Sequence, residues 1–200
     1  MALTLIKEDG TGKVDANSYA DAADGDAYHD GHLYASAWAG AAADDKERAL
    51  VMATRLIDSQ FQFNGWCSHD EQALQWPRDH CPDPDRGLNV AILLRLRGDN
   101  FVDIDIVPKP VVDATCEMAR ELLIVDRTAA PAGEGIDTVQ SSESSYTNDG
   151  TASESARTSS STKYSKRDTR PIVSHVAQAM LSKFGAGVRG GSGVVRLVRA

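Results

Sequence analysis

The sequence predicts a mainly α protein: a small helical bundle with an extended β-prone loop and a C-terminal strand or tail. Three observations predict it. Apolar residues recur at helical spacing in several segments, a Ser/Thr-rich stretch interrupts them, and glycines precede the last β-prone residues. Hydrophobic content of 42% and charged content of 25% are ordinary for one globular domain of 200 residues.

Four helices are predicted from their start signals and their apolar spacing. Ser18 and Asp44 each precede an acidic residue by three positions, which is typical of a helix N-terminus. Pro110 and Pro171 suit the first turn of two later helices. Residues 35–43 are mostly small and predict a loop. The predicted helices span residues 18–30, 44–61, 111–127 and 171–184.

Composition divides the chain into four regions. Ten Ser and six Thr fill half of the 32 positions from 138 to 169, so burial there cannot offset the ordering entropy. The glycines after residue 184 predict a hinge, and the β-prone residues behind it predict a strand that pairs within the chain or with another protein. The predicted regions are an N-terminal arm at 1–16, a helical body at 17–137 plus 171–184, an extended loop or hairpin at 138–170, and a hinge and tail at 185–200.

Charge is distributed unevenly along the chain. Residues 1–156 contain 12 Lys/Arg and 28 Asp/Glu, a net charge of −16, whereas residues 157–200 contain 9 and 1, a net of +8. Such a chain favours contact between its basic end and an acidic surface, either on a neighbouring molecule or on its own body. The longest aliphatic run, at residues 90–94, is too short to span a bilayer, and no membrane partner is predicted.

No pattern in the sequence predicts an enzyme or a cofactor site. The chain lacks Gly-x-Ser-x-Gly, His-Glu-x-x-His and a phosphate-binding loop. The glycines from Gly185 to Gly190 match a dinucleotide motif in spacing only, because a helix precedes them and a strand follows. Asp83 and Asp85 lack the other oxygen ligands of a calcium loop.

Cysteine and histidine cluster around residues 67–81 without the spacing of a zinc site. Cys67 and His69 are separated by only one residue, and His80 and Cys81 are adjacent. The chain would be strained if these pairs bound one tetrahedral ion. No metal is predicted, and the alternative is loop thiols and solvated imidazoles. Three cysteines without a Cys-x-x-Cys pair fit reduced thiols.

The segment Trp76-Pro77-Arg78 presents an indole, a rigid bend and a guanidinium together. Proline fixes its own φ and disfavours helix at the preceding residue, so the segment is not helical. This arrangement suits a contact surface for a partner. The alternative is a tryptophan that holds a loop against the core.

Several segments occur in an order that is typical of one protein family. They are Asn17-Ser18-Tyr19, Asp26-Ala27-Tyr28, Trp38, Glu47-Arg48-Ala49-Leu50, Ala53-Thr54-Arg55-Leu56-Ile57-Asp58, Gly65, Gln72-Ala73-Leu74-Gln75-Trp76-Pro77-Arg78 and Ile106-Val107-Pro108. With these segments the chain resembles the head–tail connector (adaptor) proteins of tailed phages and prophages, which are also described as DnaT-like. The resemblance covers residues 17–127 strongly and continues weakly to the C-terminus.

The resemblance implies a structural protein of the virion neck, present in the host cytoplasm during assembly. It would dock on the portal ring and link the DNA-filled head to the tail. The implied partners are the portal protein, tail or stopper and tail-terminator proteins, further copies of the chain in a cyclic dodecamer, and packaged DNA in transient contact.

The alternative is a single-stranded DNA-binding, DnaT-like replication protein. Such a protein needs basic groups beside stacking aromatic rings, and only the C-terminal part of the chain has that composition. The predicted partner-binding residues combine this part with the Trp-Pro-Arg segment. They are Trp76, Pro77, Arg78, Tyr146, Tyr164, Lys166, Arg167, Val195, Arg196, Leu197 and Arg199.

Overall fold

The computed structural model describes residues 3–85, 100–129, 136–144, 157–164 and 171–188. The chain forms two compact units, one of residues 1–127 with 172–200 and one of residues 128–171. The elements are α1 (Ala22–Asp30), α2 (Ser36–Ala39), α3 (Ala43–Gln60), β1 (Phe61–Phe63), β2 (Trp66–Cys67), β3 (Arg78–Asp79), α4 (Lys109–Ile124), β4 (Ile136–Ser144), β5 (Arg157–Tyr164), α5 (His175–Leu181) and β6 (Gly185–Gly187).

The two long helices α3 and α4 form the centre of the first unit. Each buries one apolar face, and the two faces pack against each other. Helix α5 packs on α4, and the short helices α1 and α2 also pack on α4. Together these helices enclose a single cluster of buried apolar residues that also includes side chains from the strands.

Helices α1 and α5 start later than predicted, at Ala22 and His175 instead of residues 18 and 171, and α5 ends at Leu181. Asp21 precedes α1, and its carboxylate caps the helix in a reciprocal pair with Asp24. Ser18 is instead buried, with its hydroxyl donating to the carbonyl of Ala20. The predicted loop at 35–43 contains α2, which forms around the buried Trp38.

The fold is mixed α/β, so the mainly α prediction is wrong. Strands β1 and β6 pair in antiparallel fashion, and β2 pairs with β3 in the same way. Gly185, predicted to begin a hinge, starts β6, and a Cβ there would lie 2.4 Å from the carbonyl oxygen of Gln62. Glycine at position 185 therefore allows β6 to lie close to β1, a pairing that the sequence pattern did not predict.

The N-terminal residues belong to the first unit. The backbone at Lys7 bridges to Ser18, and the buried carboxylate of Glu8 accepts backbone N–H bonds from Gly10, Gly12 and Lys13 at 2.8–2.9 Å. These bonds satisfy a charge that would otherwise be costly to bury. Among the described residues, no helix has the length and apolarity to cross a bilayer.

The second unit contains an antiparallel ribbon of β4 and β5. Its register pairs Ser144 with Arg157 at one end and Ile136 with Tyr164 at the other, with an irregularity between Ile136 and Thr138. This ribbon lies in the region predicted as an extended loop or hairpin. The predicted C-terminal strand at 193–199 lies outside the described residues.

Candidate functional site

The Trp-Pro-Arg segment is part of the core of the first unit. The Trp76 side chain has no exposed surface, and its ring contacts those of Phe63 and Phe184 edge-to-face, with centroids 5.6 and 5.9 Å away. The peptide bond to Pro77 is cis. Pro77 is buried as well. This arrangement matches the alternative interpretation of the segment, in which the tryptophan holds a loop against the core.

A polar network joins this segment to the end of α3. The Tyr19 hydroxyl donates to Asp58 Oδ1 at 2.6 Å and accepts the Trp76 backbone N–H at 3.3 Å. Gln75 donates its backbone N–H to Asp58 Oδ2 at 3.2 Å and its side-chain amide to the Asp58 carbonyl at 2.6 Å. Burial raises the pKa of the Asp58 carboxyl to about 6, although these hydrogen bonds oppose the shift.

Arg78 organises the neighbouring backbone. Its side chain is buried, and its guanidinium donates to the carbonyl oxygens of Phe63, Asn64, Gly65 and Gln75 at 2.7–3.3 Å. A planar group with five donors suits such a set of acceptors. The segment Trp76-Pro77-Arg78 therefore does not form an exposed surface in this fold. It positions the loops that surround it.

Those loops present an aromatic stack, here called the Trp66 stack, which consists of Trp66, His80 and Phe101. The Trp66 side chain is 56% exposed and lies on the His80 ring, with centroids 4.4 Å apart and planes at 22°. The Phe101 ring also contacts His80, with centroids 5.0 Å apart and planes at 43°. The indole is thus stacked on His80 and more than half exposed.

The backbone beneath the Trp66 stack leaves little freedom. His80 has a φ of +57°, which is uncommon for a residue with a side chain, and its N–H donates to Asp79 Oδ1 at 2.8 Å. Gly65 has a φ of +72°, and a Cβ there would lie 2.1 Å from the carbonyl oxygen of Asp79. With the Arg78 bonds to the same turn, these constraints fix the backbone on either side of Trp66.

The cysteines and histidines of this region have separate environments. Cys81 is buried, and burial raises the pKa of its thiol to about 11, whereas Cys67 is exposed. His69 lies against Gly12 of the N-terminal segment. Across the described ranges, no three side chains of the His, Cys, Asp or Glu type are grouped as metal ligands.

The β4–β5 ribbon contains two of the basic residues of the C-terminal part of the chain. Its register pairs Arg157 with Ser144 and Lys163 with Thr138. Both basic positions of β5 therefore lie opposite hydroxyl-bearing residues of β4.

The other predicted site residues lie elsewhere. Tyr164 ends β5, where its register partner is Ile136. Outside the described residues lie Tyr146, Lys166, Arg167, Val195, Arg196, Leu197 and Arg199.

Sequence reasoning missed Trp66. A signal was present, because polar or small residues surround this tryptophan from Asn64 to Asp70 and give it no apolar neighbours with which to enter a core.

The first unit thus has an exposed tryptophan stacked on a histidine, and the ribbon has two basic residues in β5. A family model described as "Putative DnaT-like ssDNA binding protein" matches residues 3–200. Because this match covers nearly the whole chain, the chain belongs to that family. No curated protein and no solved structure matches it.

The family match corrects the predicted function. The DnaT-like resemblance is confirmed, but the family description names DNA binding and nothing found names a connector. The interpretation as a virion neck protein, docked on a portal in a dodecameric ring, is therefore set aside. Of the predicted partners, DNA is the one that the family description supports.

Proposed function

We propose that this chain binds single-stranded DNA and acts as a DNA-binding protein rather than an enzyme. The family description supports the ligand, and the observation that carries the proposal is the register of the β4–β5 ribbon, which pairs Arg157 with Ser144 and Lys163 with Thr138. Two cations can neutralise phosphates, and hydroxyl-bearing residues can donate hydrogen bonds to phosphate oxygens.

The charge distribution restricts where the strand can bind. With a net charge of −16, residues 1–156 repel a polyanion as a whole, while residues 157–200 attract it with a net charge of +8. Phosphate contacts are therefore concentrated in the C-terminal part, which includes β5. Binding of this kind releases counterions, so its affinity falls steeply as salt is added.

Removing the two ribbon cations tests this proposal. We expect Arg157→Gln with Lys163→Gln to weaken binding to an oligothymidine and to reduce the slope of log affinity against log salt by about 1.4, since each phosphate contact on a single strand contributes about 0.7. Fluorescence anisotropy of a labelled oligonucleotide over a salt series measures both quantities.

The matched control removes two cations from the first unit. Arg55 and Lys109 are exposed on α3 and α4, so Arg55→Gln with Lys109→Gln makes the same change in net charge. We expect this variant to keep the salt slope of the unmodified chain. An equal loss of slope in both variants would show that net charge matters and that the position of the two cations on the ribbon does not.

A further inference from the structure

We infer that the exposed face of Trp66 is a stacking site for one unpaired nucleobase. The inference rests on the proposed function, because it assigns a base-binding residue within single-stranded DNA binding. It concerns the first unit, whereas the cations considered above lie in the second.

The exposure of Trp66 sets it apart from the other tryptophans. The chain has three tryptophans, and Trp38 and Trp76 are 2% and 0% exposed. Both have partners inside the fold: the Trp38 indole N–H donates to Asp26 Oδ1 at 2.8 Å, and Trp76 packs among phenylalanines. Trp66 is 56% exposed, an unfavourable state for a large indole that has no ligand.

The Trp66 stack is organised before any ligand arrives. His80 lies nearly parallel to the indole and in turn contacts the Phe101 ring. The segment that carries Phe101 is joined to the same loop, because the Val102 N–H donates to the Cys81 carbonyl at 2.9 Å. A base that stacks on the exposed indole would extend the existing stack of Trp66 on His80, with little loss of side-chain entropy.

The chemistry of the site favours a base over other flat groups. A nucleobase offers a π face of the same size class as an indole, and stacking of this type accepts any base. In a duplex the base faces are covered by their neighbours, so the site selects unpaired bases. Trp66 pairs with Asp79 in the β2–β3 ladder. Because this neighbour is acidic, the phosphate next to the bound base must be neutralised by cations elsewhere on the protein.

Tryptophan fluorescence tests the inference on the unmodified full chain. Since Trp66 is the one exposed tryptophan of the three, collisional quenching by acrylamide reports mainly on its open face. We expect saturating oligothymidine to quench the tryptophan emission and to protect the remaining signal from acrylamide. Binding detected by anisotropy without either change would overturn the inference.

Variants measure the size of the contribution. We expect Trp66→Ala to weaken oligothymidine binding by about 5- to 100-fold and to leave the salt slope unchanged, because a neutral stacking contact is lost. Trp66→Phe should recover most of the affinity. The control is Tyr34→Ala, which removes an aromatic side chain that is 73% exposed outside the Trp66 stack and should not change affinity.

The outcomes separate the two proposals. Equal affinity for the Trp66→Ala variant and the unmodified chain would overturn the stacking site alone. No binding by the unmodified chain at low salt would overturn the proposed function itself. The fluorescence measurement requires no substitution, so it decides the matter even if Trp66→Ala does not fold.

Discussion

Arg78→Ala should destabilise the protein by about 3–4 kcal/mol, because it removes four hydrogen bonds from a buried guanidinium to backbone carbonyls and opens a cavity. The accepting carbonyls lie in two separate parts of the chain, residues 63–65 and Gln75, so the loss of Arg78 disconnects them. Urea denaturation followed by circular dichroism measures the change. Since small domains are stable by only about 5–15 kcal/mol, this is a large fraction of the total.

Two comparisons sharpen this result. Arg78→Lys should restore only part of the stability, because one ammonium cannot satisfy the acceptors that the planar guanidinium reaches. Arg55→Ala, at an exposed position on α3, should change stability by less than about 0.5 kcal/mol. If Arg78→Ala and Arg55→Ala had the same denaturation midpoint, the role assigned to Arg78 would be contradicted.

Asp58 should make stability depend on pH in an unusual direction. Its pKa in the folded chain is about 6, above the ordinary value of 3.8, so the folded state holds this proton more tightly than the unfolded state does. The stabilisation from this group is complete below the unfolded pKa and is lost as pH rises through about 6. The carboxyl of most aspartates has the opposite effect.

The difference between the unmodified chain and Asp58→Asn isolates this contribution. We expect the unmodified chain to lose about 2–3 kcal/mol relative to the variant between about pH 4 and pH 7, since the variant cannot ionise. Urea denaturation across that pH range measures the difference. Asp44→Asn, at a side chain that is 80% exposed, is the control for removing one negative charge; a pH profile for Asp58→Asn that matches this control would contradict the assignment.

The helices were predictable because their signal extends over many residues. Helices α3 and α4 repeat an apolar face over four or more turns, and their bounds lie within a few residues of the predicted ones. Strands β1, β2, β3 and β6 have two or three residues each, which is too short for alternation to be recognised. The mixed fold therefore depends on pairings between distant segments that no local pattern records.

The motif that carries the family resemblance turns out to be mainly structural. Tyr19, Asp58, Gln75, Trp76 and Arg78 form one buried network that fixes the loops of the first unit. Residues of this kind identify a fold, but they do not specify what the fold binds. This explains why the resemblance led to the correct family description and to a function that the comparison does not support.

The Trp66 stack and the ribbon cations were harder to predict, for a different reason. Trp66 becomes a candidate only when His80 and Phe101 are brought together with it, and those residues are 14 and 35 positions away in the sequence. The placement of Arg157 and Lys163 opposite Ser144 and Thr138 likewise depends on the register of β4 and β5. Composition alone indicated only that the C-terminal part is basic.

Competition between strands tests the central claim most directly. The full chain is bound to a labelled oligothymidine at low salt, and unlabelled competitors are added: either a mixed-sequence single strand or the duplex of the same sequence. We expect the single strand to compete about tenfold more strongly, because the duplex lacks the one base face that Trp66 would stack on. Equal competition by the duplex, or no binding of the oligothymidine at low salt, would contradict single-stranded DNA binding.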